Sequence, residues 1–307
     1  MHEDVTHLGA ANAQCGDRFD CLKSGTRRRS RNLALRGGPA ALTVCTLVPV
    51  LGRQTRLLAW CLALGIAPLA SCSSNSEEPM AQTAATPKSV LFVGNSFSIV
   101  HGGLEVHFKA LASSMQKPRD IVVQRSAQEG ATLQTLRQDP TILQSIRAGG
   151  HDVVVLQDDI PEYGGPTVDA FKEQVRWFNQ EVRAKDGRAV LFMAWPYERL
   201  NWVSLASIAE AHKTIGAELD IPVAPVGLAF EASRSERPGL EMLDQDREHE
   251  SLHGIYLAAC AIYATVFQES PEGASYAPPG ISRDEAAFLQ RVAWQTVSKW
   301  KTASTSR

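Results

Sequence analysis

Short apolar runs alternate with stretches of helix length along most of the chain. Runs of this length without polar interruption are typical of strands that are buried on both faces. Such alternation requires right-handed crossovers onto one parallel sheet that is covered by helices on both faces. The predicted strands are 90–93, 121–124, 153–156, 189–194 and 221–226, and the predicted helices are near 104–115, 132–146 (divided or kinked at Pro140), 168–184, 205–219, 251–267 and 283–301. We therefore expect an α/β fold, a three-layer α/β/α sandwich around a mostly parallel five-stranded sheet.

The charge of the chain is distributed unevenly. Residues 73–307 carry 22 Lys and Arg against 29 Asp and Glu, a formal net charge of −7, although the whole chain is at −2. A body of that sign repels phosphate groups, so we expect no nucleic acid partner. Five of the six cysteines precede residue 73, which leaves Cys260 alone in the body. One cysteine cannot form an internal disulfide, so the apolar core must hold the body together.

An export signal is predicted at residues 53–72. Arg53 and Arg56 form a basic region, and residues 57–69 form a short apolar core. The ending Leu69-Ala70-Ser71-Cys72 resembles the bacterial lipobox, in which cleavage leaves a lipid-modified cysteine at the new N-terminus. The alternative is an uncleaved membrane anchor, but the apolar core is shorter than the roughly 20 residues of a spanning helix. We expect a protein of the bacterial cell envelope, anchored by a lipid on Cys72, on the periplasmic or the surface face.

The chain therefore divides into four predicted parts. Residues 1–52 form an unstructured preface, which indicates either a start codon assigned too far upstream or a long twin-arginine-type leader. The signal peptide, residues 53–72, follows. Residues 73–87 are rich in Ser, Ala, Thr and Pro and predict a flexible tether. Residues 88–307 form one folded domain, a size that a single sheet can organise.

The first predicted strand ends abruptly at Gly94-Asn95-Ser96. In open α/β sheets, ligands bind at the carboxyl ends of the strands, and Ser96 would lie at such an end. Gly130 and Gln157 follow the next two predicted strands and would lie at the same edge. The simpler interpretation is a strand-to-helix turn in which Ser96 only caps the chain.

A serine hydroxyl becomes a nucleophile when a base takes its proton, a third group orients the base, and donors face the developing oxyanion. Ser96 is the candidate nucleophile and His249 the candidate base. Asp246, three residues before His249, is near enough in the chain to hold the imidazole. Gly130 can offer a backbone N–H with no side chain in the way.

These motifs resemble those of the SGNH (GDSL-like) hydrolases. Gly94-Asn95-Ser96 looks like the Gly-Asp-Ser motif of that family, Gly130 like its isolated glycine, and Asp246-Arg247-Glu248-His249 like its Asp-x-x-His. The continuation "HESLHGIYLAACAIY" resembles a poorly characterised bacterial branch of lipoproteins, in which proline is usual at the position of Glu250. The resemblance covers roughly residues 89–267 and implies a flavodoxin-like sheet.

The third family motif, Gly-x-Asn-Asp, does not occur in this chain. In the family its asparagine amide donates to the oxyanion. Gln157 is the nearest amide and is the predicted replacement, so the predicted oxyanion hole comprises the backbone N–H groups of Ser96 and Gly130 and the Gln157 side chain. A strict alignment would instead place Asp159 on the asparagine, but a carboxylate would repel an oxyanion. Gln157 could also simply end its strand.

Other candidates are weaker. His253 follows His249 by four residues, a spacing that metal ligands also use, but no third ligand forms a pattern, so we predict no metal and no cofactor. Tyr163, Trp195 and Tyr197 fall in loops at the expected active edge. Their rings could stack on a substrate or pack against the protein.

Together these features predict a serine esterase that works through an acyl-enzyme intermediate. The resemblance and the expected location outside the cytoplasm imply a carbohydrate O-acetyl ester as substrate, a glycan or small molecule. A lipase, thioesterase or acyltransferase would use the same residues. The alternative from another class is a non-catalytic surface lipoprotein that binds glycan with the same fold.

Overall fold

The computed structural model describes residues 86–160 and 167–305. The predicted preface, the signal peptide with Cys72 and most of the tether lie outside these residues, as does Tyr163. Division of the chain into those parts stays a prediction. Residues Glu77–Arg307 belong to one compact unit, and the following description concerns the described part of that unit.

Five parallel strands form the central sheet. They are β1 (Ser89–Gly94), β2 (Val122–Ala127), β3 (Val153–Leu156), β4 (Arg188–Phe192) and β5 (Val223–Ala224), in the order β2-β1-β3-β4-β5. Every neighbouring pair is parallel, and β1 lies between β2 and β3. The chain reverses its direction of winding next to β1, so the carboxyl end of β1 is at the switch point where ligands bind in such sheets. The expected fold class is confirmed.

Eight helices accompany the sheet in the described residues. They are α1 (Leu104–Ser113), α2 (Leu133–Leu136), α3 (Pro140–Arg147), α4 (Val168–Arg183), α5 (Leu205–Leu219), α6 (Val226–Glu236), α7 (Leu252–Phe267) and α8 (Arg283–Thr305). Helices α1, α6, α7 and α8 contact one another, and α4 contacts α2, α3 and α5 in a second group. These two groups form the outer layers of the sandwich. No helix among the described residues has the length and apolarity needed to cross a bilayer.

Helix α7 is the central helix of the first group. Residues 254–266 of this helix are all buried, between the sheet and the neighbouring helices. A helix that is apolar on every side is stable only when it is enclosed in this way. Cys260 lies within it, and burial raises the pKa of its thiol, so Cys260 packs there as a small apolar residue.

Of the two alternatives at Pro140, division is observed, and the prediction at 221–226 is wrong. The stretch 132–146 is two helices, because Asp139 caps a new helix that starts at Pro140, with its carboxylate accepting from Thr141 N at 2.7 Å. The predicted strand 221–226 contains only the two-residue β5. It stops before Pro225, which has no N–H to donate, and α6 begins at Val226. Helix α6 was not predicted.

The site is positioned by β1 and by the segment before α7. Ser96 lies two residues beyond the end of β1. Residues 244–250 form a loop that we call the histidine loop. An antiparallel bridge between Leu243 and Glu250 closes its base, and α7 begins at Leu252.

Candidate active site

Ser96, His249 and Asp246 form a continuous chain of hydrogen bonds. The Nε2 atom of His249 lies 2.9 Å from Ser96 Oγ, and Nδ1 lies 2.7 Å from Asp246 Oδ2. Asp246 accepts, so Nδ1 carries the proton and Nε2 is free to take one from the serine hydroxyl. The structure thus brings together the three residues that the sequence proposes as nucleophile, base and orienting acid.

Asp246 is fixed by the backbone as well as by the imidazole. Its Oδ1 accepts from the N–H groups of Glu248 at 2.9 Å and His249 at 3.0 Å. Partial burial acts to raise the pKa of Asp246, but these bonds and the bond to the His249 ring favour the charged form and lower the pKa below its ordinary value. The carboxylate is therefore held ionised and in place beside the imidazole.

Residues 94–96 form a turn, which we call the serine turn, that lies close to Gln157. A Cβ at Gly94 would lie 2.5 Å from Gln157 Oε1, so a side chain there would require Gln157 to shift. Asn95 follows and is fully buried. Its N–H donates to Gln157 Oε1 at 2.9 Å, and its own side-chain oxygen accepts from Phe97 N at 3.2 Å. These contacts fix the turn that presents Ser96.

Gln157 lies at the end of β3 and is buried beneath the serine turn. Its Oε1 faces Asn95, and its Nε2 donates to the Asp158 carbonyl oxygen. The amide nitrogen has a second hydrogen that this bond does not use. Gln157 thus supports the serine turn, and donation of its amide to an oxyanion stays a prediction.

The two aspartates after Gln157 have separate structural partners. Asp158 Oδ1 accepts from Leu133 N at 2.7 Å and so fixes the start of α2, three residues after Gly130. Asp159 Oδ1 accepts from the Tyr197 hydroxyl and from Asn95 Nδ2, the latter at 3.3 Å. Burial and the bond to Asp159 raise the pKa of Tyr197, so its hydroxyl stays a donor.

Two backbone N–H groups that follow strands β1 and β2 are available as donors. Ser96 begins a short 3-10 turn, Ser96–Ser98, and the first residues of such a turn have no internal partner for their N–H groups. Gly130 has a positive φ of 63°, is exposed, and has open space where a Cβ would be. Neither N–H donates to an oxygen within residues 86–160 and 167–305. Both could therefore serve the oxyanion.

The aromatic residues in the β4–α5 loop differ in their exposure to solvent. Trp195 and Tyr197 are buried, and Trp195 stacks on Phe230 with ring centroids 4.2 Å apart. These two rings pack against the protein, and a role for them in substrate stacking stays a prediction. Trp202, which the sequence analysis passed over, is 60% exposed and is the exposed aromatic residue of the described chain. Its position in the segment "WPYERLNWVS", close to Trp195 and Tyr197, was the sequence signal that could have identified it.

The β4–α5 loop is tied to the histidine loop. Trp195 Nε1 donates to the Glu248 carbonyl oxygen at 2.9 Å. The Arg199 guanidinium forms a two-pronged pair with the Glu248 carboxylate, at 2.7 and 3.0 Å. Trp202 thus lies on a loop that is attached to the residue next to His249.

Glu250 follows His249 and is completely buried. Its two carboxylate oxygens have no hydrogen-bond partner among the described residues. Burial raises its pKa well above the ordinary value, and the nearby Asp244 and Asp246 act in the same direction. A carboxyl at this position, where the resembling branch has proline, is therefore favoured in its neutral form.

His253 lies on α7 and faces α8 instead of Ser96. Its Nε2 is 3.6 Å from Glu285 Oε1, an ion pair when the ring is protonated. Within the described ranges, no group of three or more His, Cys, Asp or Glu side chains could hold a metal ion.

The architecture is similar to that of solved hydrolase-like proteins. No protein-family model and no curated protein matches the chain. A DUF4886 family protein from Bacteroides uniformis is 19% identical, with a TM-score of 0.56 over 68% of this chain and 94% of its own. A protein described as a GDSL-like lipase, from Parabacteroides merdae, is 14% identical, with a TM-score of 0.50 over 60% and 96%. The chain has the fold of the GDSL-like hydrolases.

Other matches to this fold are weaker. Axe2, an acetyl-xylooligosaccharide esterase from Geobacillus, is 18% identical, with a TM-score of 0.47 over 59% of this chain and 94% of its own. The fold assignment rests on the two stronger matches. At such identities the likeness concerns the fold alone, so activity has to be argued from the residues of this chain.

Proposed function

We propose that the protein is a serine esterase that hydrolyses its substrate through an acyl-enzyme intermediate. The observation that carries this proposal is the hydrogen-bonded series Ser96–His249–Asp246, with distances of 2.9 and 2.7 Å. Ser96 Oγ attacks the acyl carbon while His249 Nε2 takes its proton, and Asp246 stabilises the imidazolium. His249 then returns the proton to the leaving alcohol, and an activated water releases the acyl group.

The developing oxyanion would be stabilised by the N–H groups of Ser96 and Gly130. Both are free of other acceptors in the described residues, and such donors act strongly because they are in place before the reaction. The Gln157 amide would be the third donor through its second hydrogen.

Hydrolysis of p-nitrophenyl acetate by the wild type and by two serine variants tests this proposal. Ser96→Ala removes the nucleophile and is expected to lower kcat by at least about a thousandfold, the loss typical of removing a triad member. Ser98→Ala is the matched control, since Ser98 lies in the same turn and is buried. Activity that is unchanged in Ser96→Ala would refute the assignment of Ser96, and a wild type without turnover would favour the non-catalytic glycan-binding lipoprotein.

We propose further that the substrate is a carbohydrate O-acetyl ester. Trp202 supports this substrate class, because sugar rings stack on exposed indole faces and Trp202 is 60% exposed on the loop tied to Glu248. A simple aryl acetate has no sugar to stack. The ring would then contribute to binding of the sugar and not to the chemical step.

Two substrates separate these contributions. For an acetylated xylan oligosaccharide, Trp202→Ala is expected to raise KM roughly three- to tenfold with little change in kcat, as for the loss of one stacking contact. For p-nitrophenyl acetate it should change neither constant. Trp202→Phe keeps a ring, and Val106→Ala, at an exposed apolar position on α1, is the control. An equal loss on both substrates would contradict the role of Trp202 in sugar binding.

A further inference from the structure

His101 bridges the two segments that carry the reacting groups. It lies in the chain between β1 and α1, five residues after Ser96, in the 3-10 turn Val100–Gly102. Its Nε2 is 3.0 Å from Asp244 Oδ2 and 2.9 Å from the Glu250 carbonyl oxygen. The Glu250 carbonyl oxygen and an ionised Asp244 carboxylate are both acceptors with no hydrogen to donate. The Nε2 atom therefore carries a hydrogen that the two oxygens share.

The partners of His101 stand at the two ends of the histidine loop. Asp244 begins the loop and donates its N–H to the His249 carbonyl oxygen at 2.8 Å. Its own carbonyl oxygen accepts from Arg247 N at 3.0 Å. Glu250 ends the loop and pairs with Leu243 in the closing bridge. One imidazole therefore contacts both ends of the segment that holds Asp246 and His249.

The backbone at His101 is left-handed. Its φ and ψ are 50° and 34°, a conformation that is uncommon for residues other than Gly, although His adopts it more often than most. Gly102 and Gly103 continue with φ of 88° and 104°. Such a conformation persists only where surrounding contacts determine it, and it is common near functional sites.

His107 supplies one of those contacts. Its Nε2 donates to the His101 carbonyl oxygen at 2.9 Å, and its Nδ1 accepts from the Tyr276 hydroxyl, also at 2.9 Å. Burial lowers the pKa of His107, which favours the neutral ring with one donor and one acceptor that this arrangement needs. Helix α1, through His107, thus holds the His101 backbone, and the His101 imidazole contacts the histidine loop.

Other contacts also fix the distance between the two segments, either directly or through the β4–α5 loop, whose Trp195 donates to the Glu248 carbonyl oxygen and packs on Phe97. The Ser96–His249 bond itself is one, and the edge-on contact of the Phe97 and His249 rings, with centroids 5.8 Å apart, is another. None of these contacts holds the ends of the histidine loop. A displacement of about 1 Å between a nucleophile and its base can cost about a hundredfold in rate.

We propose that His101 is a positioning residue that holds the histidine loop at the distance from which His249 reaches Ser96. It acts through its Nε2–H, which Asp244 and Glu250 share, and it touches no reacting atom. The inference rests on the proposed esterase function.

Two variants of similar size test the role of the Nε2 donor. His101→Leu removes the donor, and His101→Gln replaces it by an amide nitrogen at a similar reach, while both leave a side chain on the same left-handed backbone. We expect His101→Leu to lower kcat about 10- to 100-fold with KM within about twofold, and His101→Gln to recover most of this loss. Rates are divided by the amount of Ser96 titrated with a fluorophosphonate, so that misfolded protein does not enter kcat.

A double-mutant cycle with Asp244→Ala tests the partner. If the contact is what matters, Asp244→Ala lowers kcat in the wild type and has no further effect in His101→Leu. The cycle also keeps the test valid if His101→Leu folds poorly, since Asp244→Ala can then be compared with Asp244→Asn, which keeps an acceptor. His151→Ala, at the opposite edge of the sheet, should leave kcat unchanged.

Three results would overturn the proposal: an unchanged kcat per titrated site in His101→Leu, equal loss in His101→Gln and His101→Leu, or additive effects of the His101 and Asp244 changes. Failure of the esterase proposal is distinguishable, because the wild type would then show no turnover that depends on Ser96.

Discussion

In the proposed mechanism, Ser96 is reactive because of the groups that surround it and not because of its own chemistry. A free serine hydroxyl is a weak nucleophile, and the acceptor at 2.9 Å on His249 is what would allow its proton to leave. The lowered pKa of Asp246 keeps the third member charged at neutral pH. These three side chains belong to short local motifs, which is why the sequence was enough to propose them.

Gln157 is the residue whose role the motifs leave open, and its substitution gives a specific prediction. Gln157→Ala should lower kcat by about 10- to 1,000-fold if its amide donates to the oxyanion. Gln157→Glu separates donation from support of the turn, because a carboxyl oxygen can still accept from Asn95 N but brings no amide hydrogen. Steady-state kinetics of both variants on p-nitrophenyl acetate provide the measurement.

We expect Gln157→Glu to be as impaired as Gln157→Ala. Near-wild-type activity in Gln157→Glu would mean that Gln157 only supports the serine turn. An effect of Gln157→Ala below about twofold would remove the side chain from both roles.

Side-chain direction was the part of the site that the sequence could not supply. Trp195, Tyr197 and Trp202 lie in one loop of eight consecutive positions, yet two are buried and one is 60% exposed. Which ring points inward depends on partners far along the chain, such as Phe230 for Trp195. His101 was likewise passed over, because its partners Asp244 and Glu250 are adjacent to it only in the folded chain.

Among the strands and helices, the prediction was wrong where the apolar pattern runs on across the boundary between two elements. Helix α5 spans Leu205–Leu219 as expected, and β3 spans Val153–Leu156 as expected. The error at 221–226 has a local cause, since apolar residues continue from β5 into α6 and the pattern does not mark the boundary. Pro225, just before α6, was the available stop signal.

The order of the strands explains why residues from distant parts of the chain form one site. In a parallel sheet, the loops after β1, β2 and β3 all open at the carboxyl edge, so Ser96, Gly130 and Gln157 are brought to that edge by topology. The histidine loop reaches the same edge because α7, which follows it, packs along the sheet as the central buried helix.

For the chain as a whole, the fold of the domain and its cellular location are supported to different degrees. The sheet and its helical layers follow from the pattern of apolar runs and are confirmed. Export, the lipid on Cys72 and the tether are predictions from the composition of residues 53–87. An esterase anchored in that way would act on substrates outside the cytoplasm, which is the reason for proposing a carbohydrate ester.

The most direct measurement of the central claim is the site at which a fluorophosphonate probe attaches to the full chain. Such a probe modifies a serine that a neighbouring base has activated. Trypsin releases residues 89–109 as one peptide, which contains Ser89, Ser96 and Ser98, and fragment masses distinguish the three. We predict a single adduct on Ser96 that forms at least about a hundredfold more slowly in His249→Ala. No adduct, an adduct on Ser89 or Ser98, or labelling that is unaffected by His249→Ala would contradict the proposed catalytic site.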